Sequence, residues 1–263
     1  MIVFSAFTPH SPLLLASVNK AKLKKVQKTV KAMALLADAL IEARPDTIII
    51  FSSHGTVHED AFSINVHDDY PVDLAEFGDL TTNHTFRGDM KLIDALQRSL
   101  RAKDLSVTLS SEEKLDYGAA VPLLLLTEHL PNVKIVPITY SGLSAKHHFQ
   151  FGEALKDVLL NSNKRVAVIA SGDQSHALET RSPAGFAKEG AEYDQLVQSA
   201  IVNGNVSGLL TLDPETLEKA KQCSYRPLLM LLGVMDHLRY DPVIHSYESP
   251  FGVGYLVVHF ELG

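Results

Sequence analysis

Short runs of consecutive apolar residues alternate along this chain with longer stretches whose apolar positions recur every three or four residues. The continuous runs read as buried strands: Ile2 to Thr8, Thr47 to Ser52 (TIIIFS), Val133 to Tyr140 and Arg165 to Ser171 (RVAVIAS). Shorter strands are predicted over Phe62 to Val66 and Val107 to Leu109, and Val243 to Tyr247 and Gly254 to Phe260 close the chain as two more. Helical spacing covers Ala21 to Ala43, where Val26, Val30, Met33, Ala34 and Ala37 share one face. It also covers Met90 to Arg101, Ala145 to Leu160, Phe186 to Val202 and Pro227 to Leu238, with another helical segment after Asp213-Pro214. Within Gly118 to Leu130 a helix is predicted to begin near Val121-Pro122. The polar stretch from His67 to Asp89, with Pro71 and Gly78, is predicted to be a long loop, the kind of segment that acts as a lid or binding element. Helices separating apolar strands predict an α/β fold, with three layers α/β/α around a central mostly parallel or mixed sheet, in a single domain over residues 1–263.

Composition narrows the function classes. The chain is 46% hydrophobic, enough for one large core. A net charge of -7 argues against a nucleic-acid binder, which needs a basic face. A single cysteine allows no internal disulfide and fits a reducing compartment. Met1 to Leu15 lacks the basic region and long apolar run of a signal peptide, and runs such as Leu228 to Met235 fall well short of the ~18 residues a spanning helix needs. A cytoplasmic protein with no membrane partner is therefore expected. The chain carries no GxGxxG, no P-loop and no GxSxG elbow.

The chemistry concentrates at strand ends. Three apolar strands run into polar loops that carry histidine: TPHSP, SSHG and SGDQSH. In open α/β sheets, ligands sit beyond the carboxyl ends of the strands. Parallel neighbours would bring His10, His54 and His176 to one rim. Among the other histidines, His58, His67 and His84 read as solvated, while His129, His147, His148, His237 and His245 read as helix ends or surface positions. His259 reads as structural. Cys223 precedes Ser224-Tyr225-Arg226-Pro227, and proline suits the first turn of a helix. Placed just before that helix and near Arg226, the thiol is expected to favour its thiolate form. Two neutral imidazoles and a thiolate make a three-ligand metal site with room for water or substrate. Asp173 and His176 then take an assisting or acid–base role. Asp116 and Tyr117 could form another wall of the pocket, but the residues alone favour a turn before a helix.

The residues also resemble a known family. FTPHSP (7–12), FSSHG (51–55), LDYGAAVPL (115–123), IASGDQSHAL (169–178), CSYRPLLMLL (223–232) and FGVGYLVVHF (251–260) follow in an order and spacing similar to the catalytic B subunit of class III extradiol ring-cleavage dioxygenases and its relatives, which include the Memo proteins. The resemblance implies Fe(II) held by two histidines and a glutamate, with the histidines matching His10 and His54. It implies an acid–base role for the histidine matching His176, and cleavage of a catecholic substrate by O2. Two positions depart from that pattern. Cys223 stands at the glutamate position, as in the Memo branch, and Tyr117 stands where ring-cleaving members carry the histidine of a D-H-G motif. Glu215 and Glu218 lie upstream but do not match the motif position. A thiolate is softer than a carboxylate, which brings zinc or copper in beside iron. The resemblance further implies a small-molecule substrate, a homo-oligomer and, in some members, an accessory subunit or protein partner. The leading reading is a non-haem metal-dependent oxidoreductase acting with O2 on a catecholic or other small metal-chelating compound. A Memo-like metal-binding or redox protein without ring cleavage, a zinc-dependent hydrolase and an inactive relative stay open beside it.

Overall fold

The long apolar runs form the middle of a ten-stranded mixed sheet in the computed structural model of the protein, which describes residues 1–19 and 23–263. The strands are β1 (Ile2–Thr8), β2 (Thr47–Ser52), β3 (Phe62–Asn65), β4 (Asp69–Pro71), β5 (Thr85–Gly88), β6 (Val107–Ser110), β7 (Lys134–Thr139), β8 (Val166–Ser171), β9 (Tyr240–Glu248) and β10 (Tyr255–Leu262). The helices are α1 (Ala16–Asn19), α2 (Gln27–Ala43), α3 (Met90–Ala102), α4 (Tyr117–Leu126), α5 (Ala145–Leu160), α6 (Lys188–Asn203), α7 (Val206–Leu210), α8 (Pro214–Ala220) and α9 (Tyr225–Met235). Strand order is β4-β5-β7-β2-β8-β1-β10-β9, and β3 pairs with both β6 and β7. β5, β7, β2, β8 and β1 are mutually parallel, whereas β10 and β9 add antiparallel strands beyond β1.

Alternation along the central strands builds the three layers. Ile49, Phe51, Val136, Ile138, Val168 and Ala170 face a core shared with α3, α5, α6 and α9. Ile48, Ile50, Ile135, Ala167 and Ile169 face the other side, against α2 and α4. Because both faces are covered, these strands read as unbroken apolar runs instead of alternating ones. On the first face, α5 and α9 approach to backbone contact through glycine. A Cβ on Gly152 would lie 2.1 Å from the Met230 carbonyl oxygen, and one on Gly233 would lie 2.0 Å from that of Phe149. This contact seats α9, the helix that follows Cys223.

Several expectations change. The stretch from His67 to Asp89 is not one loop: it contains β4, a short 3-10 turn at Ala75–Phe77 and β5. These strands are three and four residues long, and their inward positions rest on single side chains, Tyr70 and Phe86. Tyr70 is fully buried, and its hydroxyl donates to the Asn65 carbonyl at 2.8 Å. So short a pattern carries almost no periodic signal. α4 starts at Tyr117, ahead of Val121-Pro122, because Asp116 caps it by accepting from the Ala119 N–H at 3.1 Å. The predicted helix from Ala21 becomes a 3-10 turn at Leu23–Val26 followed by α2, while Ala21 lies outside the described residues. α9 starts at Tyr225, two residues before Pro227, and α7 had no counterpart in the periodicity. His148 is not a surface residue. It is fully buried within α5, with its ring between the Ser144 carbonyl at 2.8 Å and the Ser141 N–H at 3.3 Å. Among the described residues, no helix is long and apolar enough to cross a membrane.

Glycine to alanine inside a helix ordinarily stabilises by about 1 kcal/mol. At the α5–α9 contact the sign reverses, because the added methyl meets backbone that cannot step aside. Gly152→Ala and Gly233→Ala are each expected to destabilise by about 1–3 kcal/mol, read as a lower urea midpoint. Unchanged or raised midpoints would show that the helices are not held this closely.

Candidate metal centre

Three parallel strands deliver the site. β8 lies between β1 and β2, with Ser171 paired to Thr8 on one side and Ala170 to Phe51 on the other. The three carboxyl ends therefore reach the same rim, and His10, His54 and the Gly172–His176 loop follow directly. His10 Nε2 lies 3.0 Å from His54 Nε2, and Cys223 Sγ lies 3.4 Å from His10 Nε2. The three ligand atoms all fall within 4.8 Å of one another. Cys223 arrives from the turn before α9, and that turn is tied to the β8 loop. The Cys223 N–H donates to the Asp173 carbonyl at 3.3 Å, and the Asp173 N–H donates to Cys223 Sγ at 3.2 Å.

Neighbouring groups hold each ring. His10 is buried; its backbone N–H donates to Asp173 Oδ1 at 3.0 Å, and its Nδ1 lies 3.0 Å from Ser171 Oγ. The His54 backbone N–H donates to Ser52 Oγ at 3.2 Å. Its ring stacks on Tyr117 with centroids 4.2 Å apart, and the Tyr117 hydroxyl sits 2.9 Å from His54 Nε2. Asp116 accepts from the Ser52 hydroxyl as well as from the Ala119 N–H, so its carboxylate braces the strand end that carries His54. His176 contributes a different feature: its Nδ1 is buried with no hydrogen-bond partner among the described residues. A cavity of about 620 Å³ reaches Cys223 and is walled by Tyr140, Leu143, Leu217, Tyr225 and Arg226.

The electrostatics leave unprotonated imidazoles and a protonated thiol. Burial, then the nearby His176, lowers His10 to about 3. His54 keeps an exposed edge, yet it too is lowered, by desolvation first and then by His10 and His176. Cys223 is pushed up to about 12, by burial and then by the negative charge of Asp173. This corrects the expectation of a ready thiolate: burial outweighs the helix N-terminus and Arg226. The Asp173 N–H and the Ser53 hydroxyl beside the sulfur pull the other way without prevailing. Asp173 itself is raised by burial against the opposing pull of His176, and Asp116 is raised to about 6 by burial. Two neutral imidazole nitrogens and a sulfur whose ligand atoms lie this close together suit a soft or borderline cation.

The structure thus brings His10, His54 and Cys223 together, with Tyr117 against His54 and Asp173 against His10. His176 lies near enough to contribute to the lowering of both site histidines. Sequence reasoning missed Ser52, Ser171 and Asp194. Asp194, on α6, accepts from the Ser175 N–H at 2.8 Å and from the Tyr247 hydroxyl, which fixes the loop bearing Asp173 and His176. The serines did leave a trace, each being the one polar residue closing an otherwise apolar strand run.

Comparison with known proteins gives this geometry a family. Residues 5–258 match the family described as the catalytic LigB subunit of aromatic ring-opening dioxygenase. The chain belongs to the LigB family. It is 28% identical over 262 residues to Protein CA_C1420 of Clostridium acetobutylicum, covering 96% of this chain and 56% of that protein. It is 26% identical over 180 residues to the 4,5-DOPA dioxygenase extradiol of Beta vulgaris, covering 64% of this chain and 63% of that one. It is 28% identical over 158 residues to the 2,3-dihydroxyphenylpropionate/2,3-dihydroxicinnamic acid 1,2-dioxygenase of Paraburkholderia xenovorans, covering 56% and 48%. The chain thus spans only about half to three-fifths of these relatives' own length. A solved structure, that of uncharacterized protein JW3007 from Escherichia coli K12, shares the fold with a TM-score of 0.70 at 18% identity, covering 98% of this LigB-family chain and 99% of the other.

With the imidazoles already neutral, the only proton a metal must displace near pH 7 is that of Cys223. Apparent affinity for Zn(II) or Fe(II) is expected to rise about tenfold per pH unit between about pH 6.5 and 8, with about one proton released per metal. Calorimetry in buffers of different ionisation enthalpy reads both quantities. Cys223→Ser is expected to flatten the dependence, and a wild-type affinity indifferent to pH would contradict a thiol ligand.

Proposed function

We propose that this LigB-family protein is a non-haem Fe(II) enzyme that opens the ring of a small catecholic substrate with O2. The observation that carries the reading is the convergence of His10, His54 and Cys223 within 4.8 Å, beside a histidine whose buried Nδ1 has no partner among the described residues. The 2,3-dihydroxyphenyl group in the name of the bacterial relatives is a vicinal diol, and a vicinal diol is the substrate feature proposed here. His10, His54 and Cys223 would hold the iron, which when bound would supply the one-electron chemistry that O2 requires.

The protein's own groups do the rest. His176 takes a proton from a substrate hydroxyl at its free Nδ1 and returns it as the ring opens. Tyr117 is held well above the usual phenol range by burial, so it stays protonated and donates a hydrogen bond beside His54. Asp173 orients His10 through the backbone N–H and keeps the β8 loop against Cys223. Asp116 acts through Ser52, setting the strand end under His54. The thiol favours a second reading as well: a softer ligand suits zinc or copper(I), and the same three residues would then serve hydrolysis or redox binding without ring opening.

Anaerobic loading with Fe(II), followed by O2-electrode measurements across simple catechols, separates these readings. Ring opening is expected to consume one O2 per substrate and give a product heavier by both oxygen atoms. His176→Gln is expected to keep its iron while kcat falls about 10²–10⁴-fold. A filled iron site with no O2 uptake from any catechol would exclude ring cleavage, and zinc-dependent turnover indifferent to O2 would establish the hydrolase.

A further inference from the structure

We infer that Ser171 is a positioning residue that fixes the tautomer of His10, and that it does so because Pro122 leaves the Gly118 carbonyl without a helical partner. The case is a count of donors and acceptors. The Gly118 oxygen can only accept. Four residues on in α4, where an N–H would normally reach that oxygen, stands Pro122, which has none. The Ser171 hydroxyl donates to the Gly118 carbonyl instead. Serine has one hydroxyl proton, and it is thereby spent. Ser171 Oγ also lies 3.0 Å from His10 Nδ1, in a fully buried setting. For that contact to be a hydrogen bond, His10 must be the donor. The proton sits on Nδ1, and the lone pair of Nε2 is turned toward His54 and Cys223.

The opposite arrangement is ruled out by the same count. If Ser171 gave its proton to His10, the Gly118 and Ser171 oxygens would face one another as two acceptors, with no other donor to either among the described residues. Gly118 is also closely packed against the His54 side of the site. A Cβ there would lie 2.6 Å from Ser52 Oγ and 3.0 Å from His54 Cδ2, so α4 is pressed against the site at this residue. One helical turn therefore serves both rings. Tyr117 stacks on His54, and the orphaned carbonyl of the next residue acts on His10 through Ser171. The purpose assigned to this relay, presenting Nε2 to a metal, rests on the metal-site reading above; the tautomer itself does not.

Long-range proton–nitrogen NMR of the metal-free, nitrogen-15-labelled protein reads which ring nitrogen of His10 is protonated, with His10→Gln giving the assignment. Wild type is expected to carry the proton on Nδ1. Ser171→Ala is expected to populate the other tautomer and weaken Zn(II) binding by about 10–100-fold. Ser171→Thr, which keeps the hydroxyl, is expected to retain the wild-type tautomer. Pro122→Ala supplies an N–H that competes for the Gly118 oxygen, and a smaller shift in the same direction is expected. A proton on Nε2 in wild type, or a tautomer unmoved by Ser171→Ala, would overturn the inference. A tautomer that responds as expected in a protein that takes up no metal would uphold the relay and remove the metal-site reading.

Discussion

Two imidazole nitrogens and a thiol sulfur occupy one small volume at the rim of the sheet, and the surrounding structure depends on keeping them there. Electron-rich atoms so close together repel unless a cation or a proton lies among them. Burial strips the imidazoles of their protons and leaves the thiol its own. The fold holds this arrangement from three sides. Parallel pairing of β8 with β1 and β2 levels the strand ends. The glycine contact between α5 and α9 seats the helix behind Cys223. The first turn of α4 presses Tyr117 and Gly118 against the rings.

Much of the scaffold was legible because the central strands are buried on both faces. TIIIFS and RVAVIAS could be read as strands without any partner in view, and their ends marked His54 and the Asp173–His176 loop. β4 and β5 were not legible, since each offers only one buried large side chain and both lie at the margin of the sheet. The start of α4 was misplaced because proline suits first turns; here Pro122 lies inside the helix, where its missing N–H has a use. His148 was misread because nothing local distinguishes a buried helical histidine satisfied by the Ser141 and Ser144 backbone from a solvated one.

The candidate site was legible in its ligand atoms and illegible in its electrostatics. Strand-end placement grouped the histidines, and the proline after Cys223 put the thiol at a helix start. Neither observation carries burial, which decides the protonation of all three groups. The serines that hold the rings, Ser52 and Ser171, were hidden in plain strand runs, and Asp194 acts from a helix far along the chain. LigB-family membership supplies the chemical setting for these groups.

X-ray absorption at the metal edge of the Fe(II)- or Zn(II)-loaded protein tests the centre most directly. One sulfur neighbour at about 2.3 Å with two imidazole nitrogens at about 2.0–2.1 Å is the expected result, with the sulfur shell absent in Cys223→Ser. A shell of nitrogen and oxygen alone in the wild-type protein would contradict a metal held by His10, His54 and Cys223.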